Sequence, residues 1–526
     1  MDQVRRRLLR SGVAAGSLFL PLPYAWVWAQ SEGTNEGTVK LLKAPKMALV
    51  VGNGKYKDAP ELKNAPNDAR AMAESLKAVG FTVTALLDTS KDSLLGAIRD
   101  YVRAMEARKA VGLFYFAGHG VQLDWRNYML PVDAVVDRVE DVAKQSVDVA
   151  RLMEGLSKAA NPMNVIILDA CREDPFGKAR KPAQKGLSQM DAPTNTILAY
   201  ATSPGNVASD GDGANGLYTE NLLREIKVPE AKIEDVFKRV RLAVRRKTNG
   251  AQIPWESTSL EEDFWFLPPK ELKRISDAEQ ERLFAEELAL WEKIKDDKSA
   301  APFEAYLRRY PSGNFAELAQ LGLERALSAS GEKKVRMGGA AGNPFTKGSA
   351  MADMNPKLGD TYTYRASDMR TGVERETYTS TVTKVTDNEV YYSAGLITDR
   401  LGNSLQSRHG VRYTPNQFLP LEFAVGKRWS TRYVMTRKDG AKSDVEMEAR
   451  IVTRRQISVP AGTFNAFQLQ WRSARLDASQ RRTVTNAWFD PERARRPVLR
   501  EEVATSGDGM KEFYNERVEL LNYKQS

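Results

Sequence analysis

Ala110-Val-Gly-Leu-Phe-Tyr-Phe-Ala-Gly-His-Gly120 is an unbroken apolar run that ends in one of the chain's two histidines. Apolar on both parities, it predicts a strand buried on both faces, as in parallel sheets. A second such run, Asn164-Val-Ile-Ile-Leu-Asp-Ala-Cys171, ends in the only cysteine. A helical stretch, 149–160, lies between them. The C-terminal tips of neighbouring parallel strands gather at one edge of an open α/β sheet, where such sheets bind ligands. Cys171 and His119 at two such tips are a candidate nucleophile and its base.

A lone cysteine is more often a small buried hydrophobe than a reactive thiol. The ordered pattern outweighs that reading: strand then His-Gly, helix, strand then Asp-Ala-Cys. His409-Gly410 serves as an internal control. It follows the polar stretch Asn403-Ser-Leu-Gln-Ser-Arg408 and reads as a surface turn.

Outward from these runs, Pro45 to Pro268 alternates short apolar segments with helical ones, predicting an α/β fold with a mostly parallel six-stranded sheet. The predicted strands are 47–51, 81–87, 111–117, 165–170, 196–201 and 264–267. The predicted helices are 67–79, 91–109, 149–160, 217–227 and 233–247. Phe176 to Thr194 is a polar, Lys-rich loop, long for an ordinary connection. Residues 270–328 read as a helical hairpin segment of tetratricopeptide type, too short for a solenoid. Residues 329–350, rich in Gly, Ala, Ser and Lys, read as a flexible linker. Residues 351–526 alternate β-branched and aromatic residues between polar turns, as in Thr377-Tyr-Thr-Ser-Thr-Val382, and predict an antiparallel β domain of unidentified ligand.

Length and charge set outer limits. The 526 residues exceed one ordinary domain. Net charge is +10, of which the first 29 residues carry +3. No concentrated basic patch or nucleic-acid signature accompanies it, so no nucleic-acid partner is expected. The basic stretch 232–247 reads as a solvated helix face. Residues 1–30 read as an export signal: Arg5-Arg6-Arg7-Leu8-Leu9-Arg10, an apolar stretch, then Val27-Trp28-Ala29 as a cleavage site. The paired arginines resemble a twin-arginine signal, implying a periplasmic address, although Val4 stands where Ser or Thr is usual. No transmembrane span is expected after its removal. An exported chain with one cysteine forms no internal disulfide, which marks Cys171 as a thiol to watch.

Several motifs in order carry a resemblance. Leu49-Val-Val-Gly-Asn53, Leu62-Lys-Asn-Ala-Pro-Asn-Asp68, Phe116-Ala-Gly-His-Gly120, Leu130-Pro-Val-Asp133, Leu168-Asp-Ala-Cys-Arg172 and Ala199-Tyr-Ala-Thr-Ser-Pro-Gly205 resemble the caspase–metacaspase family of cysteine peptidases, prokaryotic branch. The resemblance covers about 45–268 and implies a caspase-like sandwich, protein or peptide substrates and a His119–Cys171 dyad. Backbone N–H groups of Gly120 and Cys171 are the expected oxyanion donors. Asp68 and Asp169 match the acidic pocket positions of metacaspases, implying cleavage after Arg or Lys. The alternative for Asp68 is a helix N-cap or first-turn acid. A basic preference makes Lys178, Arg180, Lys181 and Lys185 candidates for self-cleavage. No cofactor is expected. Asp133 and Asp148 match parts of the family's calcium cluster but lack its adjacent acid, and calcium wants six to eight oxygens. Ala117 stands where metacaspases often have Ser. The expected function is an exported cysteine endopeptidase with a ligand- or partner-binding β domain. The rival readings are a silent caspase-like scaffold and a His–Cys enzyme of the legumain or gingipain group.

Overall fold

The computed structural model describes residues 32–171, 186–204, 206, 213–272, 276–332 and 342–526; of residues 32–35 and Cys171 the backbone alone is described. The buried apolar runs build the central sheet. Its strands are β1 (Lys46–Gly52), β2 (Thr82–Leu87), β3 (Val111–Leu123), β4 (Arg126–Met129), β5 (Val147–Asp148), β6 (Met163–Cys171), β7 (Thr196–Tyr200) and β8 (Trp255–Thr258). The main path runs β2-β1-β3-β6-β7-β8, parallel except for β8 at one edge. Beyond His119, β3 turns through Asp124 and Trp125, both at positive φ, into an antiparallel hairpin with β4. That geometry is the two-residue turn whose twist suits a hairpin.

Alternate residues of each buried strand serve opposite faces. Val111, Leu113 and Tyr115 of β3 pack under α2 (Ala65–Ala78), α6 (Leu217–Glu225) and α7 (Ile233–Lys247). Phe114 and Phe116 pack under α3 (Lys91–Arg108) and α5 (Val149–Ala159). Two short helices, α1 (Glu32–Lys43) and α4 (Asp141–Gln145), complete this unit. The predicted strand at 264–267 is corrected: the edge strand is β8 instead. Phe264 and Phe266 are buried, but their carbonyl neighbourhood receives the turn before α7, with the Ile233 N–H donating to Phe264 O. An apolar tetrapeptide signals burial without fixing what its backbone pairs with.

Three helices follow: α8 (Asp277–Ile294), α9 (Ala300–Arg309) and α10 (Ala316–Ala329). Trp291, Phe303, Tyr306 and Phe315 form their aromatic core. The chain then enters a two-stranded ribbon, β9 (Ser349–Met351) with β16 (Glu422–Ala424), and a closed antiparallel barrel of twelve strands. The barrel strands are β10 (Thr361–Ser367), β11 (Glu374–Val385), β12 (Glu389–Tyr392), β13 (Ile397–Asp399), β14 (Ser404–Gln406), β15 (Arg412–Tyr413), β17 (Arg428–Thr436), β18 (Lys442–Val459), β19 (Gly462–Arg475), β20 (Arg482–Phe489), β21 (Leu499–Thr505) and β22 (Glu512–Lys524). Pairing of β10 with β22 closes it. Among the described residues no helix is long and apolar enough to cross a membrane.

Charged contacts tie the units together. Arg245 of α7 reaches Glu332, just past α10, through Nη2–Oε2 at 2.6 Å and Nε–Oε1 at 3.2 Å. The Glu332 chain crosses Gly250, where φ is +81° and a Cβ would come within 2.7 Å of Glu332 Cγ. Glu422 of the ribbon accepts from Trp255 Nε1 at 2.9 Å and from Arg241 at 3.4 Å. From sequence, 329–350 is a flexible linker; residues 342–350 are instead seated against the central unit through Asn343, Thr346 and Lys347.

Candidate active site

The β3–β6 register aligns Phe116 with Leu168, Ala117 with Asp169, Gly118 with Ala170 and His119 with Cys171. Adjacent strands lie about 4.8 Å apart. The backbones of the only cysteine and of His119 are therefore immediate neighbours at the tips of two central strands.

His119 is 4% exposed and held on two sides. Its Nε2 lies 2.8 Å from Pro60 O, and its backbone N–H donates to Tyr56 Oη at 2.8 Å. A carbonyl only accepts, so Nε2 carries the hydrogen and Nδ1 is the basic nitrogen of the neutral ring. The Tyr56 ring lies 4.6 Å from the imidazole, centroid to centroid. Small neighbours make this approach possible. A Cβ on Gly118 would meet Tyr56 Oη at 2.6 Å, and one on Gly120 would meet Ala170 Cβ at 2.7 Å. Below the tip, Asn53 is fully buried: its Nδ2 donates to Leu130 O and its Oδ1 accepts from the Thr89 N–H and hydroxyl. That network braces the loops after β1, β2 and β4 against one another.

Asp169 and Asp68 both bear on the Tyr115 phenol, the first by direct contact and the second through its field alone. Asp169 Oδ2 accepts from the Tyr115 phenol at 3.1 Å and from the Thr219 hydroxyl. Asp68, 3% exposed, accepts from Asn215 Nδ2 at 2.8 Å and from the Gly216 N–H at 3.0 Å. It lies in the first turn of α2, yet its carboxylate reaches out to the start of α6. The Tyr115 phenol is pushed well above its ordinary value, first by burial, then by the fields of Asp169 and Asp68. One carboxylate on the phenol and the field of a second make a local excess of negative potential, which a guanidinium or ammonium would offset.

Asp133 and Asp148 serve two different helices. Asp133 Oδ1 accepts from the Lys91 N–H at the start of α3, at 2.9 Å. Asp148 caps α5 through the Ala150 N–H at 2.8 Å and pairs with Arg126 at 2.7 Å. Among the described residues no group of three or more His, Cys, Asp or Glu side chains is placed to hold a metal ion. Lys178, Arg180, Lys181, Lys185 and the export segment lie outside the described residues. Sequence reasoning missed Pro60 and Tyr56 as supports of His119. A backbone carbonyl leaves no side-chain signal, so Pro60 had none to give.

Comparisons with known proteins bear on the same stretch. The caspase domain family model matches residues 45–265. Mucosa-associated lymphoid tissue lymphoma translocation protein 1 of Homo sapiens is 26% identical over 194 residues, 36% of this chain and 23% of that protein. Its Mus musculus homolog is 27% identical over 190 residues, 36% and 22% of the two lengths. The chain thus spans less than a quarter of the curated relatives it matches. A crystal structure of the Drosophila initiator caspase Dronc aligns with a TM-score of 0.33 and 14% identity, covering 42% of this chain and 83% of that one. Residues 45–265 therefore form a caspase-family domain within a longer chain that also carries three helices and a β-barrel.

Proposed function

We propose that this chain is a cysteine endopeptidase that cleaves after Arg or Lys, with Cys171 as nucleophile and His119 as base and acid. The observation that carries the reading is the strand register that makes His119 and Cys171 neighbours. Pro60 O fixes the Nε2–H tautomer, so Nδ1 takes the thiol proton and returns it to the leaving amine. Imidazolium beside sulfur favours the thiolate. Backbone N–H groups of Gly120 and Cys171 receive the developing oxyanion. Asp68 and Asp169 bind the basic side chain before the scissile bond, a role supported by the field that both carboxylates exert at Tyr115.

The arginine-rich N-terminus supports export to the periplasm as the setting. A cavity of about 620 Å³ between helices and barrel, lined by Trp291, Leu318, Arg325 and Arg400 among others, supports ligand or partner capture by the C-terminal part. The deciding experiment incubates the purified full chain with Arg-ended and Asp-ended fluorogenic peptides, beside Cys171→Ala. Turnover of the Arg-ended peptide that vanishes in the variant is expected. No turnover of either peptide overturns the peptidase; turnover only after Asp overturns the pocket.

A further inference from the structure

Residues 343–347 lie beyond the caspase-family match, yet they grip a loop inside it. Asn343 Nδ2 donates to Ser188 Oγ at 2.9 Å and to Gln189 O at 2.8 Å, while its Oδ1 accepts from the Phe345 N–H at 2.9 Å. Asn343 is 7% exposed, so these bonds are shielded from water. Asp191 continues the seam, accepting from Thr346 Oγ1 at 2.6 Å and from the Lys347 N–H at 2.8 Å, and donating its own N–H to Phe345 O. The Phe345 ring packs on the apolar cluster behind β3 and β6, with the Arg126 guanidinium 5.0 Å from its centroid.

The gripped loop leads straight to the histidine tip. Leu187 is buried against Gly120, where a Cβ would come within 3.1 Å of Leu187 Cδ2. Ser188 and Asn127 exchange two hydrogen bonds, Asn127 Nδ2 to Ser188 O at 2.9 Å and Ser188 N–H to Asn127 Oδ1 at 2.7 Å. Asn127 stands on β4, the strand paired with β3 from Gly120 to Leu123. Contacts thus run unbroken from Asn343 through Ser188 and Leu187 to the residue after His119. Within that path Asn343 alone lies outside 45–265.

We propose that Asn343 is a positioning residue for the His119–Gly120 tip, so that the segment leading to the barrel straps the catalytic unit in its working shape. This rests on the peptidase reading above. An oxyanion donor helps only when held where charge develops, and small misplacements cost large factors in rate. Without Asn343, Ser188 Oγ and Gln189 O lose a buried donor, and Leu187 loses its backing.

The test uses the full chain. Asn343→Ala is expected to lower kcat on an Arg-ended peptide roughly tenfold with little change in KM. Hydrogen exchange should quicken at 187–191 while β1 keeps its protection. Asn343→Asp keeps the acceptor toward Phe345 but turns the donor into a carboxylate oxygen facing Gln189 O, and should show the same split if the alanine variant folds poorly. Glu422→Gln, which loosens the ribbon's tie to Arg241, should lower thermal stability and leave kcat intact. Wild-type kcat in both Asn343 variants, or a kcat loss with exchange raised uniformly across the sheet, overturns the proposal. Should the wild-type chain cleave no peptide, the peptidase reading falls on its own. Exchange then decides the strap: faster at 187–191 retains it, and unchanged removes it.

Discussion

Replacing Glu332 by alanine should unfasten the helical segment from the caspase-family domain. The Arg245 side chain is 7% exposed and that of Glu332 is 1% exposed, and two hydrogen bonds join them. Removing one member of a buried pair costs about 3–5 kcal/mol, because the other charge is left in a poor solvent. Arg245 keeps Glu324 at 3.8 Å, which places the loss near the lower end, about 3 kcal/mol. With a urea slope of about 2 kcal/mol/M, the midpoint should fall by about 1.5 M. Tryptophan fluorescence can follow the transition, since Trp255 of β8 and Trp291 of α8 are both buried. Changing both partners, Arg245→Met with Glu332→Leu, should recover most of the loss, because no charge is then stranded. A midpoint shift below about 0.5 M, or a double variant no better than the single one, would refute the reasoning.

Two further outcomes concern the site and its surroundings. Asp169→Asn should cut kcat/KM for an Arg-ended peptide about 10- to 100-fold, from loss of a charge-assisted contact, with a citrulline-ended peptide affected far less; equal effects on both would remove Asp169 from the pocket. Tyr101 is buried and its phenol is held far above its ordinary range by that burial, whereas the unfolded chain ionises near pH 10. Native protein then binds the proton more tightly, so this contribution is intact below about pH 10 and lost as pH rises beyond it. Tyr101→Phe should therefore flatten the alkaline loss by about 1.4 kcal/mol per pH unit in denaturation titrations above pH 10; an unaltered slope would contradict it.

The elements that apolar periodicity could define were legible from residues alone. Ile233–Lys247 forms a helix with the predicted limits, because Ile233, Val236, Phe237, Val240 and Val244 recur at helical spacing and all are buried. The runs ending at His119 and Cys171 are adjacent parallel strands, as predicted. Trp255-Glu-Ser-Thr258 escaped notice because Pro254 and polar neighbours hide a short half-buried edge strand. Barrel closure was not readable either. It depends on pairing β10 with β22 across most of the domain, and local alternation carries no record of which strand meets which. At the site, the strand-tip pattern pointed to His119 and Cys171 and the family resemblance to Asp68 and Asp169, but the Pro60 carbonyl and the Asn343 contact arise only from the folded path.

Because the final strand is the keystone of the twelve, the C-terminal domain cannot mature piecemeal from its beginning. Thr361 meets Lys524, two residues from the end of the sequence, and Asp360 accepts from the backbone N–H of Ser526. Such a long loop must close before its contacts reward it, which makes this closure a slow, late step. A chain stopped short of Glu512 would leave β10 and β21 each with an open rim of unsatisfied amides and carbonyls, an invitation to aggregate.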